Sequence, residues 1–251
     1  MTTSSVQQPT IVARRMLTAT LTKSVNLSAE TKHLEFEAQE LDKFHFTAGQ
    51  FVTIRQPKPD GKIHSRAYSI ASPPRDNPTF DICLNRVENG FMSNWLCDLE
   101  VGASITFHGP HGLFVMREPR GDAIFIATGT GVAPFRSMAQ WLFAHPERHE
   151  QRHYWLVYGT RYEDGLYYHE EFEEMQRRHP NFHYIATLSR CRDDWQGCRG
   201  YVQDYVRRIV ASHPDMQAYI CGLNNMVDAN RQLLTGEFGW DKKQIVFERY
   251  D

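Results

Sequence analysis

The sequence has no excess of basic residues: its 28 Lys and Arg face 30 Asp and Glu, a formal charge of −2 with the twelve histidines neutral. So balanced a chain cannot neutralise a phosphate backbone, which argues against sequence-independent binding of nucleic acid. Cysteine is scarce. Cys83, Cys97, Cys191, Cys198 and Cys221 make an odd five, and no pair has the spacing of a zinc or iron–sulfur ligand set. A disulfide scaffold is therefore excluded as the stabilising device, which suits a reducing compartment. No uncharged apolar run approaches the roughly 20 residues that span a bilayer. The first residues lack the apolar core of a secretory signal. They carry Arg14 and Arg15 and meet no acid before Glu30, a faint transit-peptide pattern. A short polar tail over residues 1–10, with structure beginning at Ile11, is the simpler reading, and the expected location is cytoplasmic.

Apolar residues are not scarce. At 41% hydrophobic over 251 residues the chain can bury one large or two modest cores, and disorder is excluded. The pattern of those residues changes partway along. Before about residue 115 they alternate, as in Leu34 and Phe36, Val52 and Ile54, then Phe80, Ile82 and Leu84. Period two marks half-buried antiparallel strands. Turn-formers at Pro57–Gly61, Ser72–Pro74 and Gly109–Gly112 punctuate them, and many short strands with few helices suggest a barrel. After Gly121 come continuous apolar runs: Ala123–Ala127, Tyr154–Tyr158, Tyr184–Leu188, Ala218–Cys221 and Ile245–Phe247. Between them Phe135, Met138, Ala139 and Leu142, then Val202, Val206, Ile209 and Val210, fall at helical spacing, as do Met226, Val227, Leu233 and Leu234 before a stop at Gly236. The fold class expected is β plus α/β. An N-terminal antiparallel β-barrel over 11–117 precedes a five-stranded, doubly wound parallel sheet over 118–251.

Three segments carry chemistry. Ile126-Ala-Thr-Gly-Thr-Gly-Val-Ala-Pro134 sets Gly129 and Gly131 directly after a strand and Pro134 at a helix start. Glycines there let backbone N–H groups approach a pyrophosphate, and proline suits the first helical turn. The third glycine of the usual dinucleotide fingerprint is absent. Arg66-Ala-Tyr-Ser69 offers a guanidinium fork, a flat ring and a hydroxyl, although from spacing alone an ordinary strand with outward Arg and inward Tyr is the favoured reading. Asn85-Arg-Val-Glu-Asn-Gly-Phe-Met-Ser93 precedes a helix expected over 94–99. Its Gly90 and Ser93 fit either a second phosphate cradle or a ligand-free N-cap.

Taken together with Cys221-Gly222, these segments resemble the ferredoxin–NADP(H) reductase family in order and spacing, from about Val12 to Asp251. The resemblance implies FAD as cofactor and NADP(H) as substrate, with NADH as the alternative. It implies that Arg66 and the Gly90–Ser93 segment, with Phe91 and Met92, hold the FAD pyrophosphate. By the same resemblance Tyr68 stacks on the isoalloxazine, Ala67 lies between Arg66 and Tyr68, and Ser69 bonds near flavin N5. Gly129, Thr130, Gly131 and Pro134 would receive the nicotinamide dinucleotide, and Cys221, beside Gly222, would approach nicotinamide C4. The family often ends in Glu–x–Tyr. Here that is Glu248-Arg249-Tyr250, with Glu248 near the hydride path and Tyr250 over the flavin, but Asp251 follows. Ser69, Cys221 and Glu248 are the expected catalytic group.

Nucleotide choice is read from Arg161 at the end of the second α/β strand and from Ser189, Arg190 and Arg199 near the end of the third. The resemblance implies that Ser189, Arg190 and Arg199 grip a 2′-phosphate, while Glu163 and Asp164 lie close to Arg161. No metal site is expected from His108 and His111 or from His145, His149 and His153, which lack convincing partners. The residues from Glu170 to Arg178 read as a solvated helix face. The expected partner is ferredoxin or flavodoxin, with no nucleic acid and no membrane, and the chain is expected to be a monomer. The alternatives are an NADH-dependent reductase component of a multi-component oxygenase and a non-catalytic flavin- or nucleotide-binding adaptor.

Overall fold

A computed structural model describes residues 15–118 and 121–250. The tail expected over 1–10, the start at Ile11 and the extra Asp251 lie outside these described residues.

The front half is an antiparallel sheet of β1 (Leu17–Asn26), β2 (Thr31–Ala38), β3 (Phe51–Pro57), β4 (Ile63–Ser69), β5 (Thr79–Asn85) and β6 (Ser104–His111). Its strand order is β4-β3-β6-β1-β2-β5, and an antiparallel bridge between Ile70 and Ile82 joins the two ends. The alternating residues point inward as their period requires. Leu21, Leu34, Phe36, Ile54, Phe80 and Phe107 are fully buried in one core, each worth roughly 1.5–3 kcal/mol of burial. The helix expected over 94–99 is α1, Phe91–Cys97, starting three residues earlier. Gly90, not a serine, is its N-cap, and Ser93 lies within the first turn. The turn expected over 109–112 is not confined there, because β6 continues through Gly109–Pro110 to His111, held by β3.

The back half is a parallel sheet ordered β10-β9-β8-β7-β11-β12. The five apolar runs form β7 (Ala123–Thr128), β8 (Tyr154–Thr160), β9 (Phe182–Leu188), β11 (Gln217–Leu223) and β12 (Ile245–Tyr250). A sixth strand, β10 (Cys198–Arg199), adds two residues to the edge of β9; it is too short to carry a pattern. On one sheet face Phe135 and Met138 of α2 (Ala133–Phe143) and Phe172 of α3 (His169–Arg178) pack on Phe125, Leu156 and Tyr219. On the other, Val206 and Val210 of α4 (Val202–Ser212) and Val227 of α5 (Asn224–Gln232) pack on Ile124, Ile126 and Ile220. After α5 the chain makes a π turn from Leu233 to Glu237, which takes in Gly236, the expected stop. Ala48, Ala71, Cys83 and Phe114 of the front half share the α2–α3 core, so the two halves are welded by apolar packing.

Strand order reverses at β7, with β8 and β9 to one side and β11 and β12 to the other. In a doubly wound sheet the crevice outside the strand ends at such a point is where ligands bind.

Candidate active site

The residues following β7 fill that crevice. Gly129–Val132 form a 3-10 turn leading into α2, with Pro134 in the first turn of the helix. Gly129 has φ of +55°, a left-handed conformation that glycine tolerates best, and open space where a Cβ would stand. Gly131 is the opposite case. A Cβ there would lie 2.5 Å from the Cys221 carbonyl oxygen, so the loop reaches β11 only because this side chain is missing. Gly222 is similarly tight, since its Cβ would stand 2.3 Å from Thr128 Oγ1. Thr128 ties the strands further by accepting a hydrogen bond from Leu223 N. Its role is not evident from spacing, because a threonine at the end of a strand is unremarkable in sequence.

Cys221 is fully buried, and β11 pairs it with Glu248 of β12. Burial pushes its thiol well above the ordinary thiol range. Burial likewise raises the Glu248 carboxyl to about 7. Oε2 of Glu248 is buried and has no hydrogen-bond partner among the described residues. A carboxylate so placed is costly unless protonated or met by another group. Two positions on, Tyr250 donates from its hydroxyl to Ser69 Oγ at 2.5 Å, across the seam between the halves. One junction therefore gathers Ser69, Cys221, Glu248 and Tyr250.

Ser69 ends β4, the edge strand of the front sheet. Register with β3 sets Tyr68 opposite Val52 and Arg66 opposite Ile54. Tyr68 is half-buried against the barrel core, and burial raises its hydroxyl pKa. Arg66 and Ala67 are exposed, on opposite faces of β4 as the alternation of a strand requires. Beside it, Ser93 Oγ donates to the carbonyl of Gly90 and accepts from Val87 N. A Cβ on Gly90 would stand 2.5 Å from that oxygen, so a side chain there would fill the cradle. Met92 is buried in the barrel core, whereas the Phe91 ring meets His64 edge-on and lies under Lys58 Nζ.

The arginines divide. Arg161 and Arg190 are exposed at neighbouring strand ends, joined by a bond from Arg190 N to the Arg161 carbonyl. Ser189 adjoins them, its N donating to Thr160 O. Arg199 is committed to its own loop, donating from one terminal nitrogen to the carbonyls of Asp193 and Trp195.

Residues that spacing does not single out complete the junction. Arg136 and Ser137, in the first turns of α2, reach back to the carbonyls of Ala71 and Ser72. Asp81, with its side chain only 2% exposed, accepts two bonds from Arg75 at 2.9 and 2.8 Å. Among the histidines, His108 Nδ1 and His111 Nε2 lie 2.6 Å apart, and His153 stacks on His183. No cluster of three or more metal-ligating side chains occurs among the described residues.

Residues 18–116 match the oxidoreductase FAD-binding domain family, and residues 125–232 the oxidoreductase NAD-binding domain family. The chain is 41% identical over 233 residues to ferredoxin–NADP reductase B of Sorangium cellulosum, covering 90% of this chain and 93% of that protein. It is 37% identical to the phenol 2-monooxygenase reductase component of a Pseudomonas species, over 82% of this chain but 57% of that one. In three dimensions it overlays the cytochrome P450 reductase of Amycolatopsis with a TM-score of 0.81 at 26% identity, covering 94% of this chain and 69% of that one.

Proposed function

The chain belongs to the ferredoxin–NADP(H) reductase family and is an FAD-dependent oxidoreductase using NADP(H), and we propose that its front half, to about residue 117, holds the flavin while residues from 118 onward deliver the nicotinamide. The observation that carries this reading is the hydrogen bond from Tyr250 to Ser69 beside Cys221 and the unpartnered Glu248 oxygen. It gathers both halves' candidate residues at one point.

The donor set suits FAD. An exposed Arg66 fork, the glycine-floored cradle at Gly90–Ser93 and the flat Tyr68 ring match a pyrophosphate and an aromatic ring system. When bound, FAD supplies the chemistry this protein cannot, accepting a hydride at N5 and releasing electrons singly. The chain's own residues bind and orient. Ser69 would offer its hydroxyl to flavin N5, Tyr250 holds that hydroxyl in place, and Cys221 would line the approach of nicotinamide C4. Glu248, its pKa raised to about 7 by burial, can hold or yield a proton at Oε2 near neutrality. The Gly129–Gly131 backbone, with Thr130 and Pro134, receives the dinucleotide pyrophosphate at the head of α2. Arg161, Ser189 and Arg190 grip the 2′-phosphate that distinguishes NADPH, and Arg199 shapes the loop beside them.

An electron carrier such as ferredoxin is the partner class, and we assign this chain a one-electron exchange with ferredoxin or flavodoxin as a cytoplasmic monomer. No helix among the described residues is long and apolar enough to cross a membrane. A second reading, an NADH-dependent reductase component, draws on the 37% identity to the phenol 2-monooxygenase component. Cytochrome c reduction, assayed with and without added ferredoxin under each nucleotide, separates the two. Ferredoxin-dependent turnover that prefers NADPH supports the first, and turnover that prefers NADH supports the second. No turnover with any acceptor refutes both.

A further inference from the structure

We propose that Arg136 and Ser137 are positioning residues that bolt the nucleotide-binding loop to the segment directly following the flavin-binding strand and so set the distance of hydride transfer. The inference rests on the function proposed above and concerns residues given no role there. Arg136 and Ser137 lie five and six residues beyond Gly131, in the opening turns of α2. Their acceptors lie two and three residues beyond Ser69 in the front half. An Arg136 terminal nitrogen donates to the carbonyl of Ala71 at 3.0 Å, and Ser137 Oγ donates to the carbonyl of Ser72 at 2.6 Å. Ser72 and Ser137 are fully buried, so water cannot substitute for either partner.

Each end of the bolt is itself held. On the front side Ser72 Oγ accepts from Asp81 N at 3.0 Å, and Ala71 N donates to Asp81 O at 2.8 Å. The Asp81 carboxylate is locked by the Arg75 fork, with His33 Nε2 at 3.5 Å and the Arg136 guanidinium at 3.6 Å. On the back side Arg136 Nε donates to Glu171 at 2.9 Å, and Gln140 binds the other oxygen of that carboxylate. The guanidinium plane lies over the Tyr168 ring at 4.6 Å, and the Tyr168 hydroxyl is 2.9 Å from His33 Nδ1. Arg136 therefore touches Asp81, Ala71, Glu171 and Tyr168 at once, which a planar fork can do and a lysine cannot. With both loops mounted on one rigid joint, the reacting atoms meet without a search; loosening the joint costs rate more than nucleotide affinity.

The test uses holoprotein with Arg136→Gln, Arg136→Lys and Ser137→Ala. It measures FAD content, NADPH affinity and the anaerobic rate of flavin bleaching at saturating NADPH, with protium or deuterium at nicotinamide C4. Arg136→Gln should bleach at least about tenfold more slowly per bound FAD, because displacement by about 1 Å costs up to about a hundredfold. NADPH affinity should change less than about threefold, and the isotope effect should rise as hydride transfer becomes limiting. Arg136→Lys should recover part of the rate, and Ser137→Ala should lose a smaller part. If Arg136→Gln fails to retain FAD, the other two variants decide. Variants that bleach at the wild-type rate per bound FAD, whatever their melting temperature, overturn the bolt. Wild-type protein bleached by neither NADPH nor NADH overturns instead the function on which it rests.

Discussion

Replacing Gly131 by alanine should separate nucleotide delivery from flavin binding. The added Cβ would stand 2.5 Å from the Cys221 carbonyl oxygen, 2.7 Å from its carbon and 2.7 Å from Gly222 Cα. Ordinary contact begins near 3.4 Å, so loop and strand must part by about 0.9 Å. The strand is the less able to yield. Cys221 is paired to Ala127 on one side and Glu248 on the other, within the centre of a parallel sheet. The loop therefore moves, carrying the backbone N–H groups that should meet the nucleotide pyrophosphate. A displacement of nearly 1 Å translates into a loss of hydride-transfer rate of up to about a hundredfold, and the overpacking should cost about 1–3 kcal/mol of stability. Gly129→Ala is the control: its Cβ meets nothing within 4 Å, and only the left-handed backbone resists it, at roughly 1–2 kcal/mol. The assay compares anaerobic bleaching by NADPH with bleaching by dithionite, which needs no nucleotide site. Gly131→Ala should keep its FAD and respond normally to dithionite while slowing with NADPH far more than Gly129→Ala does. Folded Gly131→Ala protein that reacts with NADPH at the wild-type rate would refute the argument.

Glu248→Gln should flatten the pH profile of hydride transfer near pH 7, where the buried carboxyl titrates. Its folded-state pKa lies above the unfolded value of 4.5, so native stability falls as pH rises from about 4.5 through about 7. The substitution should then stabilise the protein at pH 8 by about 1–3 kcal/mol, allowing for partial solvent screening, and by nothing at pH 4; thermal melts across that range check both. Arg190→Ala should raise the KM for NADPH by about tenfold through loss of a charge-assisted bond to phosphate, leaving the KM for NADH unchanged; equal effects on both would remove the 2′-phosphate assignment. Tyr250→Phe should cost about 1 kcal/mol by breaking the bond to Ser69, visible as slower bleaching with FAD content intact; an unchanged rate would show that Ser69 needs no holding.

What could be read from the sequence followed from periodicity. The alternation of Leu34 with Phe36, and of Phe80, Ile82 and Leu84, gave away β2 and β5, and each long apolar run of the back half became a parallel strand. Strand β6 was hidden because Gly109–Pro110 has the composition of a turn, while the pairing of β6 with β3 keeps it extended to His111. Strand β10 has two residues and no period to detect. For the site, glycines and helix starts could be located, but contacts could not. Nothing in the spacing joins Ser69 to Tyr250 or Arg136 to Asp81, because such pairs are made only when the barrel and the α/β layer dock. Arg199 is alike: one terminal nitrogen of its guanidinium bonds two carbonyls of the adjoining loop, a contact that its position near a strand end does not foretell.

The central claim is that the flavin bound along residues 66–69 faces the nicotinamide brought by the GTG loop. Mixing the oxidised, FAD-loaded protein anaerobically with NADPH and with NADH, and following the yellow absorbance, tests it most directly. Rapid bleaching, faster with NADPH, is the predicted result. Protein that takes up no FAD, or that stays yellow with both nucleotides yet bleaches with dithionite, would contradict it.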